Sequence, residues 1–141
     1  LRQDPIWRRS GYTVPGRDGC RVPLPWSGEE PPFGFGAGRP WLPQPEEWRK
    51  LTVEAQTGDL GSMLTLYRNA LRIRRRLLGD GTLTWRDLGP QVLAFTRDSG
   101  LTCVVNLSPA PVPLPPHTEV LLTSGPLEDD RLPTDTAAWL R

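Results

Sequence analysis

The pattern of hydrophobic and polar positions divides the chain into three stretches. Residues 1 to about 58 show no regular period, because glycines and prolines interrupt them, above all between residues 11 and 45. Residues 60–78 repeat apolar side chains at a helical period, and residues 80–141 contain short apolar runs between turn residues. The pattern therefore predicts an irregular arm, one helix and a set of short strands.

The predicted helix covers residues 60–78, and its apolar residues fill half of the circumference when positions are placed about 100° apart. Asp59 or Ser62 can cap its start, because a short oxygen-bearing side chain accepts hydrogen bonds from the first free N–H groups. Gly79 ends it. So wide an apolar face predicts contact with two neighbouring elements. Arg74 projects from the middle of this face, so we expect a buried side chain with a carboxylate or carbonyl partner; a head group that reaches past the rim is the alternative.

Short strands are predicted after the helix. The turn sequence Asp98-Ser99-Gly100 between two apolar runs is a hairpin signal, and Val104-Val105 is typical of a strand covered on both faces. About 60 residues form a small antiparallel domain that is marginally stable alone. The predicted strands are 82–86, 91–97, 101–107, 112–114, 119–123 and 136–140.

Composition and charge exclude several classes of protein. The chain has 17 Lys and Arg against 16 Asp and Glu, a net charge of +1, which argues against nucleic-acid or membrane binding held by bulk charge. No apolar run reaches the roughly 18 residues of a membrane span. Two cysteines and one histidine offer no metal-ligand spacing, and no metal or cofactor is expected. Cys20 and Cys103 do not form a disulfide framework, so we expect reduced thiols in a cytoplasmic protein.

The arm is rich in aromatic residues and contains a charged loop. Disordered segments are usually poor in aromatic residues, so we expect an ordered arm laid over a surface that buries its rings. The loop reads Arg17-Asp18-Gly19-Cys20-Arg21 and continues as Val22-Pro23-Leu24-Pro25-Trp26. Loops on a rigid scaffold often carry binding residues, which makes this segment the first candidate for a binding site.

The motifs of the arm and helix resemble, in order and spacing, the end of the catalytic barrel in alpha-glucosidases, oligo-1,6-glucosidases and trehalose synthases of the alpha-amylase family of glycoside hydrolases. The resemblance covers residues 5–78. The chain departs from the family at Leu24-Pro25-Trp26-Ser27, where Met-Gln-Trp-Asp is frequent, and this departure concerns the specificity subgroup. After the charged loop the matching motifs are Phe33-Gly-Phe, Pro40-Trp41-Leu42-Pro43, Val53-Glu54-Ala55-Gln56, Asp59, Ser62 and the helical run 66–74.

The resemblance implies an α+β chain that forms the end of a (β/α)8 barrel, made of the irregular arm and the last barrel helix, followed by a small antiparallel β domain. It assigns residues 1–79 to the barrel end and residues 80–141 to a small C-terminal β-sandwich domain. A barrel helix packs inward on the strands and sideways on its neighbours, which agrees with the broad apolar face.

The resemblance also implies an enzyme of the alpha-glucosidase type, acting on alpha-linked glucose oligosaccharides by a retaining mechanism. The family's catalytic carboxylates lie on earlier barrel strands, and their motifs are not found in this sequence. We therefore assign no catalytic residue here and expect the 141-residue chain alone to be inactive. The alternatives are a standalone sugar-binding or structural β module, a trehalose synthase-type transferase or isomerase, and a non-catalytic relative that assists a transporter.

Three loop residues, Arg17, Asp18 and Arg21, are the candidate substrate-binding residues. In the resembling enzymes the first arginine of this loop lies beside the glucose pocket, so Arg17 is expected to contact the sugar through its rigid fork of donors. Asp18 and Arg21 are expected to stabilise the loop through ion pairs and hydrogen bonds to the backbone. Direct contact with the sugar is the alternative interpretation.

Other polar and aromatic residues are expected to have structural or surface roles. Rings that either anchor the arm or stack on a sugar are Trp26, Phe33, Phe35 and Trp41. His117 lies in a turn with no nucleophile nearby in the sequence, so no catalytic role is expected. A glycosidase acid/base pair is one interpretation of the arm carboxylates, but most are better explained as charged loop surface; they are Asp18, Glu29, Glu30, Glu46, Glu47 and Glu54.

Overall fold

The computed structural model describes residues 2–141 in two compact units, of which the first ends at Thr65 and the second is Leu66–Arg141. The expected α+β fold is confirmed: an irregular arm, one long helix and a small antiparallel sheet. The arm contains short helices that the sequence pattern did not predict. They are α1 (Pro5–Arg9), α2 (Val53–Gln56) and 3₁₀ turns at Asp18–Cys20 and Glu46–Leu51.

Helix α1 begins at a clear start signal. The Asp4 side chain accepts a hydrogen bond from the N–H of Ile6 at 3.0 Å, and Pro5 occupies the first helical position, where its missing N–H costs nothing. The helix ends after five residues, and Gly11 follows with φ of 64°. The result is a single capped turn at the head of the arm.

The first unit is organised around Phe33 and Leu42, which are fully buried. The Phe33 carbonyl accepts hydrogen bonds from the N–H groups of Trp26 at 2.7 Å and Ser27 at 3.0 Å. Gly34 has φ of +69°, a conformation that glycine adopts without strain, and a Cβ there would crowd the Ser27 hydroxyl. Phe33 is thus the ring that anchors the arm, while Trp26, Phe35 and Trp41 are exposed.

Helix α3 spans Met63–Leu77, three residues shorter at its start than predicted. Ser62 provides the cap, because its Oγ accepts a hydrogen bond from the N–H of Thr65 at 3.2 Å. Asp59, the other candidate cap, instead accepts from the N–H of Gly61. The last turn closes with the N–H of Leu78 donating to the carbonyl of Arg74.

The apolar face of α3 is not covered as the sequence predicted. Of the residues of α3, which the structure describes in full, none is buried, and Met63, Tyr67 and Leu71 are exposed. Arg74 is also exposed and makes no side-chain hydrogen bond or ion pair with the described residues, so the expected buried and paired Arg74 is wrong. With the apolar face open to solvent, the guanidinium needs no protein partner.

The second unit holds a five-stranded antiparallel sheet in the order β1-β2-β3-β7-β5 and a two-stranded sheet, β4-β6. The expected antiparallel β domain is confirmed, and six of its strands were predicted from the sequence. The short strand β6 was not, since two residues give no alternation to read. The strands are β1 Leu83–Asp87, β2 Val92–Arg97, β3 Thr102–Asn106, β4 Val112–Pro113, β5 Val120–Thr123, β6 Arg131–Leu132 and β7 Thr136–Leu140.

One face of the large sheet forms the core of the second unit. Ala94 pairs with Val104, and Val104 pairs with Ala138, across three neighbouring strands. Leu132 and Leu140 complete the buried cluster. Val105 faces the other side and is half-buried, next to the buried Cys103, so each face of β3 carries at least one buried residue.

A second cross-strand row lies on the opposite face of the sheet. Trp85 pairs with Phe95, Phe95 with Cys103, and Cys103 with Trp139. The Trp85 and Phe95 rings meet edge to face with centroids 5.8 Å apart. Trp85 is exposed and Cys103 is buried, so the row passes from solvent on β1 to the interior at β3.

Helix α3 stands over the far end of this row. Leu66, Tyr67 and Ala70 of the helix line an apolar cavity of about 180 Å³ together with Leu122, Ser124, Ala137 and Trp139 of the sheet. The helix and sheet of the second unit therefore meet across a gap, which accounts for the half-exposed state of the helix residues. The predicted division into residues 1–79 and 80–141 stays a prediction.

Candidate functional site

The charged loop is held by a carboxylate that lies outside it. Oδ2 of Asp4 accepts hydrogen bonds from the backbone N–H of Arg17 at 3.0 Å and from Nη1 of Arg21 at 3.2 Å. Oδ1 of the same carboxylate caps α1 through the N–H of Ile6. Asp4 is buried, so both ends of the loop are attached to one interior anion.

Asp18, within the loop, binds the backbone of the segment that contains Asp4. Its Oδ2 accepts hydrogen bonds from the backbone N–H groups of Gln3 and Asp4, the latter at 2.9 Å. Asp18 is buried, and its Oδ1 has no partner among the described residues. In this structure the Asp18 carboxylate braces the segment before α1 from inside the arm.

The two arginines of the loop differ in their surroundings. The Arg17 side chain is exposed and forms no hydrogen bond or ion pair within residues 2–141. The Arg21 guanidinium forms an ion pair with Asp4 while 42% of its side chain stays exposed. The loop thus presents one guanidinium that is free to bind an external acceptor and one that is engaged at its base.

The hydrogen bonds to Asp4 favour its charged form. The backbone N–H of Ile6 first, then the N–H of Arg17, lower the pKa of Asp4 below its usual value of 3.8, and the charges of Arg21 and Arg17 add to the effect. Such a carboxylate is ionised across the physiological range. It is suited to fixing donors and unsuited to acting as a general acid, which needs a raised pKa.

A second feature of the arm is an open cleft of about 740 Å³, lined by prolines, Arg39, Trp41 and Gln44. Nε2 of Gln44 donates to the carbonyl of Pro23 at 2.8 Å, which ties the cleft to the charged loop. Its Oε1 is buried without a partner among the described residues. The exposed Trp41 ring at this cleft can stack on a flat apolar surface.

The remaining sequence candidates lie apart from the loop. Oε2 of Glu54 accepts from the N–H of Gly28 at 2.9 Å, and Glu29 lies 4.0 Å from Arg49. His117 is exposed, with its ring 2.8 Å from the carbonyl of Pro115. These contacts agree with the expected structural and surface roles.

The two cysteines, Cys20 and Cys103, are free, the first exposed and the second buried. No group of three or more potential metal ligands occurs among the residues that the structure describes. Between residues 2 and 141, none of the helices combines the length and apolar character needed to cross a membrane.

Asp4 is the residue of this site that sequence reasoning missed. Its local signal was present, because Asp followed by Pro is a frequent helix start. That signal predicts a cap for α1. It does not predict the hydrogen bond from Arg17, which lies 13 residues further along the chain. Only the fold brings the two together.

Two protein families match this chain in succession. The family described as alpha amylase, catalytic domain, matches residues 7–81, and the domain of unknown function DUF3459 matches residues 59–139. The first match contains the charged loop and the whole of α3; the second overlaps it at residues 59–81, so it contains α3 as well, and covers the strands to residue 139.

Similar proteins with assigned names are several times longer than this chain. A probable alpha-glucosidase of Rhizobium meliloti is 33% identical over 75% of this chain and 20% of its own length. An oligo-1,6-glucosidase of Parageobacillus thermoglucosidasius is 32% identical over 66% and 17%, and trehalose synthase/amylase TreS of Mycobacterium tuberculosis is 35% identical over 70% and 19%. The chain spans about a fifth of the length of these relatives.

Two solved structures also match this chain over nearly its whole length. The alpha-glucosyl transfer enzyme XgtA matches 99% of this chain and 29% of its own with a TM-score of 0.69 and 33% identity. Isomaltulose synthase from Klebsiella sp. LX3 also reaches a TM-score of 0.69, at 23% identity over 96% of this chain and 29% of its own, and so shows likeness of fold alone.

Proposed function

The chain belongs to the alpha-amylase family, and we propose that it is the C-terminal part of an alpha-glucosidase-type glycoside hydrolase that acts on alpha-linked glucose oligosaccharides in carbohydrate metabolism. The observation that carries this proposal is the succession of the two family matches, with the charged loop inside the first. The names of the relatives, which include alpha-glucosidase and oligo-1,6-glucosidase, support the substrate class.

The proposed reaction is hydrolysis with retention. A carboxylate attacks the anomeric carbon while an acid protonates the leaving oxygen; water then breaks the glycosyl–enzyme bond and releases glucose. We place both groups in sequence that precedes this chain. Asp4 and Asp18 are excluded from the pair because their carboxylates are buried and already accept backbone hydrogen bonds.

The proposed role of the present chain is to form one wall of the glucose pocket. We assign Arg17 to the sugar, because its guanidinium is exposed and unpaired within the described residues while its backbone is fixed. Guanidinium donors suit sugar hydroxyls and can also orient a catalytic carboxylate. We assign Asp18 and Arg21 to bracing, in agreement with their contacts to residues 3–4.

The proposal is tested by comparing two proteins, the 141-residue chain and the product of the reading frame extended through its upstream coding sequence. The extended protein is expected to hydrolyse p-nitrophenyl α-glucoside, and the chain alone is not. NMR of the first product should show the α-anomer of glucose. Turnover by the chain alone, or an upstream sequence without candidate barrel carboxylates, contradicts the proposal.

Arg17→Ala in the extended protein tests the pocket assignment. We expect kcat/KM to fall about 100-fold, as for loss of a charged contact in the transition state. Arg49→Ala is the matched control, since Arg49 is an exposed arm arginine whose nearest carboxylate, Glu29, lies 4.0 Å away at the surface. Equal kinetics for the two variants would remove Arg17 from the site.

Glucosyl transfer is the second candidate function. It is favoured by the likeness to trehalose synthase/amylase TreS and to the alpha-glucosyl transfer enzyme XgtA. Product analysis with maltose as substrate separates the two, because hydrolysis yields glucose only while transfer yields a new disaccharide or oligosaccharide. We further propose a cytoplasmic location, supported by two cysteines that are both free thiols.

A further inference from the structure

We propose that Asp4 is the positioning residue of the arginine loop: its carboxylate fixes the backbone of Arg17 and the guanidinium of Arg21, and so sets the direction in which Arg17 reaches the sugar. The inference rests on the proposed sugar contact of Arg17. It adds a residue that lies outside the loop itself.

The two oxygens of Asp4 have separate tasks. Oδ1 accepts from the N–H of Ile6 at 3.0 Å, and Oδ2 accepts from the N–H of Arg17 at 3.0 Å and from Nη1 of Arg21 at 3.2 Å. Three donors converge on one buried carboxylate, and such charge-assisted hydrogen bonds are the stronger kind. Removing the charge therefore affects the helix cap and the loop together.

The segment opposite Asp4 is fitted to it closely. Gly16 has φ of +75°, and a Cβ there would lie 2.6 Å from the Cβ of Asp4 and 2.9 Å from Ile6. No side chain fits at that distance, so glycine lets the two segments approach. On the other side, the Asp18 carboxylate accepts a hydrogen bond from the backbone N–H of Asp4 at 2.9 Å.

Fixing the backbone of Arg17 matters because its side chain is otherwise free. The guanidinium has no partner in the described part of the chain, so its direction is set by the backbone and by rotamer preference alone. Displacement of a contact residue by about 1 Å costs a large factor in rate. A binding site keeps that precision when neighbouring side chains hold the backbone of its contact residue in place.

Asn cannot replace Asp4 in this role. An amide has one carbonyl oxygen, so whichever way it is turned, its NH₂ faces either the N–H of Ile6 or the donors of Arg17 and Arg21. The matched control is Asp98→Asn in the second unit, where the carboxylate likewise accepts a backbone N–H, that of Thr82 at 2.8 Å.

The first test follows backbone amide exchange by NMR in the 141-residue chain. We expect Asp4→Asn to speed exchange of the Arg17 amide roughly tenfold or more, the loss expected for a hydrogen bond to a charged group. Asp98→Asn should leave that amide unchanged, because Asp98 lies in the second unit and its described side-chain partners are the N–H and hydroxyl of Thr82. Unchanged exchange at Arg17 in Asp4→Asn overturns the proposal. If Asp4→Asn does not fold, Asp4→Ser keeps a capping oxygen for the N–H of Ile6 but removes the acceptor of Arg17 and Arg21, so it should still speed exchange at Arg17.

The second test is a double-mutant cycle in the protein extended by its upstream coding sequence. Asp4→Asn should lower kcat/KM about tenfold with Arg17 present and by less than about twofold in the Arg17→Ala background. The second effect is smaller because both substitutions act on the same contact, that of Arg17 with the sugar. Equal losses in the two backgrounds would give Asp4 a purely structural role and overturn the proposal. If Arg17→Ala alone leaves kcat/KM unchanged, the sugar contact fails, while the exchange measurement still decides whether Asp4 holds the loop.

Discussion

The side-chain amide of Asn106 donates a hydrogen bond to the carbonyl of Leu132 at 2.9 Å and so ties the end of β3 to β6. The same Nδ2 donates to the carbonyl of Ala110 at 2.9 Å, and Oδ1 accepts from the N–H and Oγ of Ser108 at 2.9 and 2.7 Å. Asn106 is fully buried, so one side chain satisfies the polar groups of the turn that follows β3.

Asn106→Leu should destabilise the chain by about 2–4 kcal/mol, because at similar side-chain volume it removes the donor to the buried Leu132 carbonyl and the acceptor for Ser108. Urea unfolding followed by tryptophan fluorescence measures the change. Asn69→Leu on α3 is the control, since the Asn69 side chain hydrogen-bonds only to the exposed Arg72 among the described residues, and should stay within about 0.5 kcal/mol. Similar unfolding midpoints for the two variants would contradict a bracing role for Asn106.

Asp98 should make the stability of the chain depend on pH. The backbone N–H of Thr82, and then its hydroxyl, lower the pKa of Asp98 below its usual value of 3.8. Because the folded state favours the charged form, the contribution is complete above that usual value and is lost as the pH falls through the lower, folded value. The stability difference between wild type and Asp98→Asn should therefore shrink on acidification below about pH 3.8.

NMR titration of the Asp98 carboxyl checks the cause directly. Thr82→Val removes the hydroxyl but keeps the backbone donor, so the pKa of Asp98 should move part of the way back towards its usual value. An Asp98 carboxyl that titrates identically in both proteins would show that the hydroxyl has no part in the shift.

The two cysteines should react at very different rates. Cys20 is exposed, whereas Cys103 lies buried in the cross-strand row, and its burial raises the pKa of the thiol. Ellman's reagent should modify one thiol per folded chain rapidly and the second only after unfolding. Cys20→Ser should abolish the rapid phase, and Cys103→Ser should leave it; two rapid thiols would show that the sheet opens readily.

The exposed apolar face of α3 should bind hydrophobic dyes. Leu71 is 47% exposed and Tyr67 is 63% exposed, which is unusual for a stripe of this width on a soluble domain. Leu71→Gln should reduce fluorescence of bound anilinonaphthalene sulfonate and change the free energy of unfolding of the 141-residue chain by less than about 1 kcal/mol.

The same substitution in the protein extended by its upstream sequence should cost about 2 kcal/mol, if the remainder of a barrel covers the face. Arg72→Gln on the polar face is the control and should be neutral in both proteins. Equal effects of Leu71→Gln in the short and extended proteins would favour a standalone module.

Much of the secondary structure could be predicted because its signals are local. Strand β2 was placed within one residue at each end, and the hairpin to β3 follows from the turn at residues 98–100. The start of α3 was placed three residues early, because Leu60 continues the apolar pattern but lies before the Ser62 cap. Helix α1 was missed, since a single turn is too short to display a period.

The candidate site was likewise predictable only in part. The sequence identified Arg17, Asp18 and Arg21, because they are neighbours in a loop with a specific series of motifs around it. It could not identify Asp4 as their support, or show that the Asp18 carboxylate is turned inward. Hydrogen bonds between segments 13 to 17 residues apart have no signature in local pattern or spacing.

By itself, the sequence determined the family, the one long helix, the antiparallel strands and the loop that holds the charged residues, because these depend on periodicity and on motifs in fixed order. The tertiary structure decided which of those charges are free. It buries Asp4 and Asp18 against backbone donors, engages Arg21 and leaves Arg17 exposed. It also decided that much of the broad apolar face of α3 stays exposed in this chain. The physical reason is that burial and charge pairing depend on which segments the fold brings into contact. Local patterns in the sequence show the segments but not those contacts.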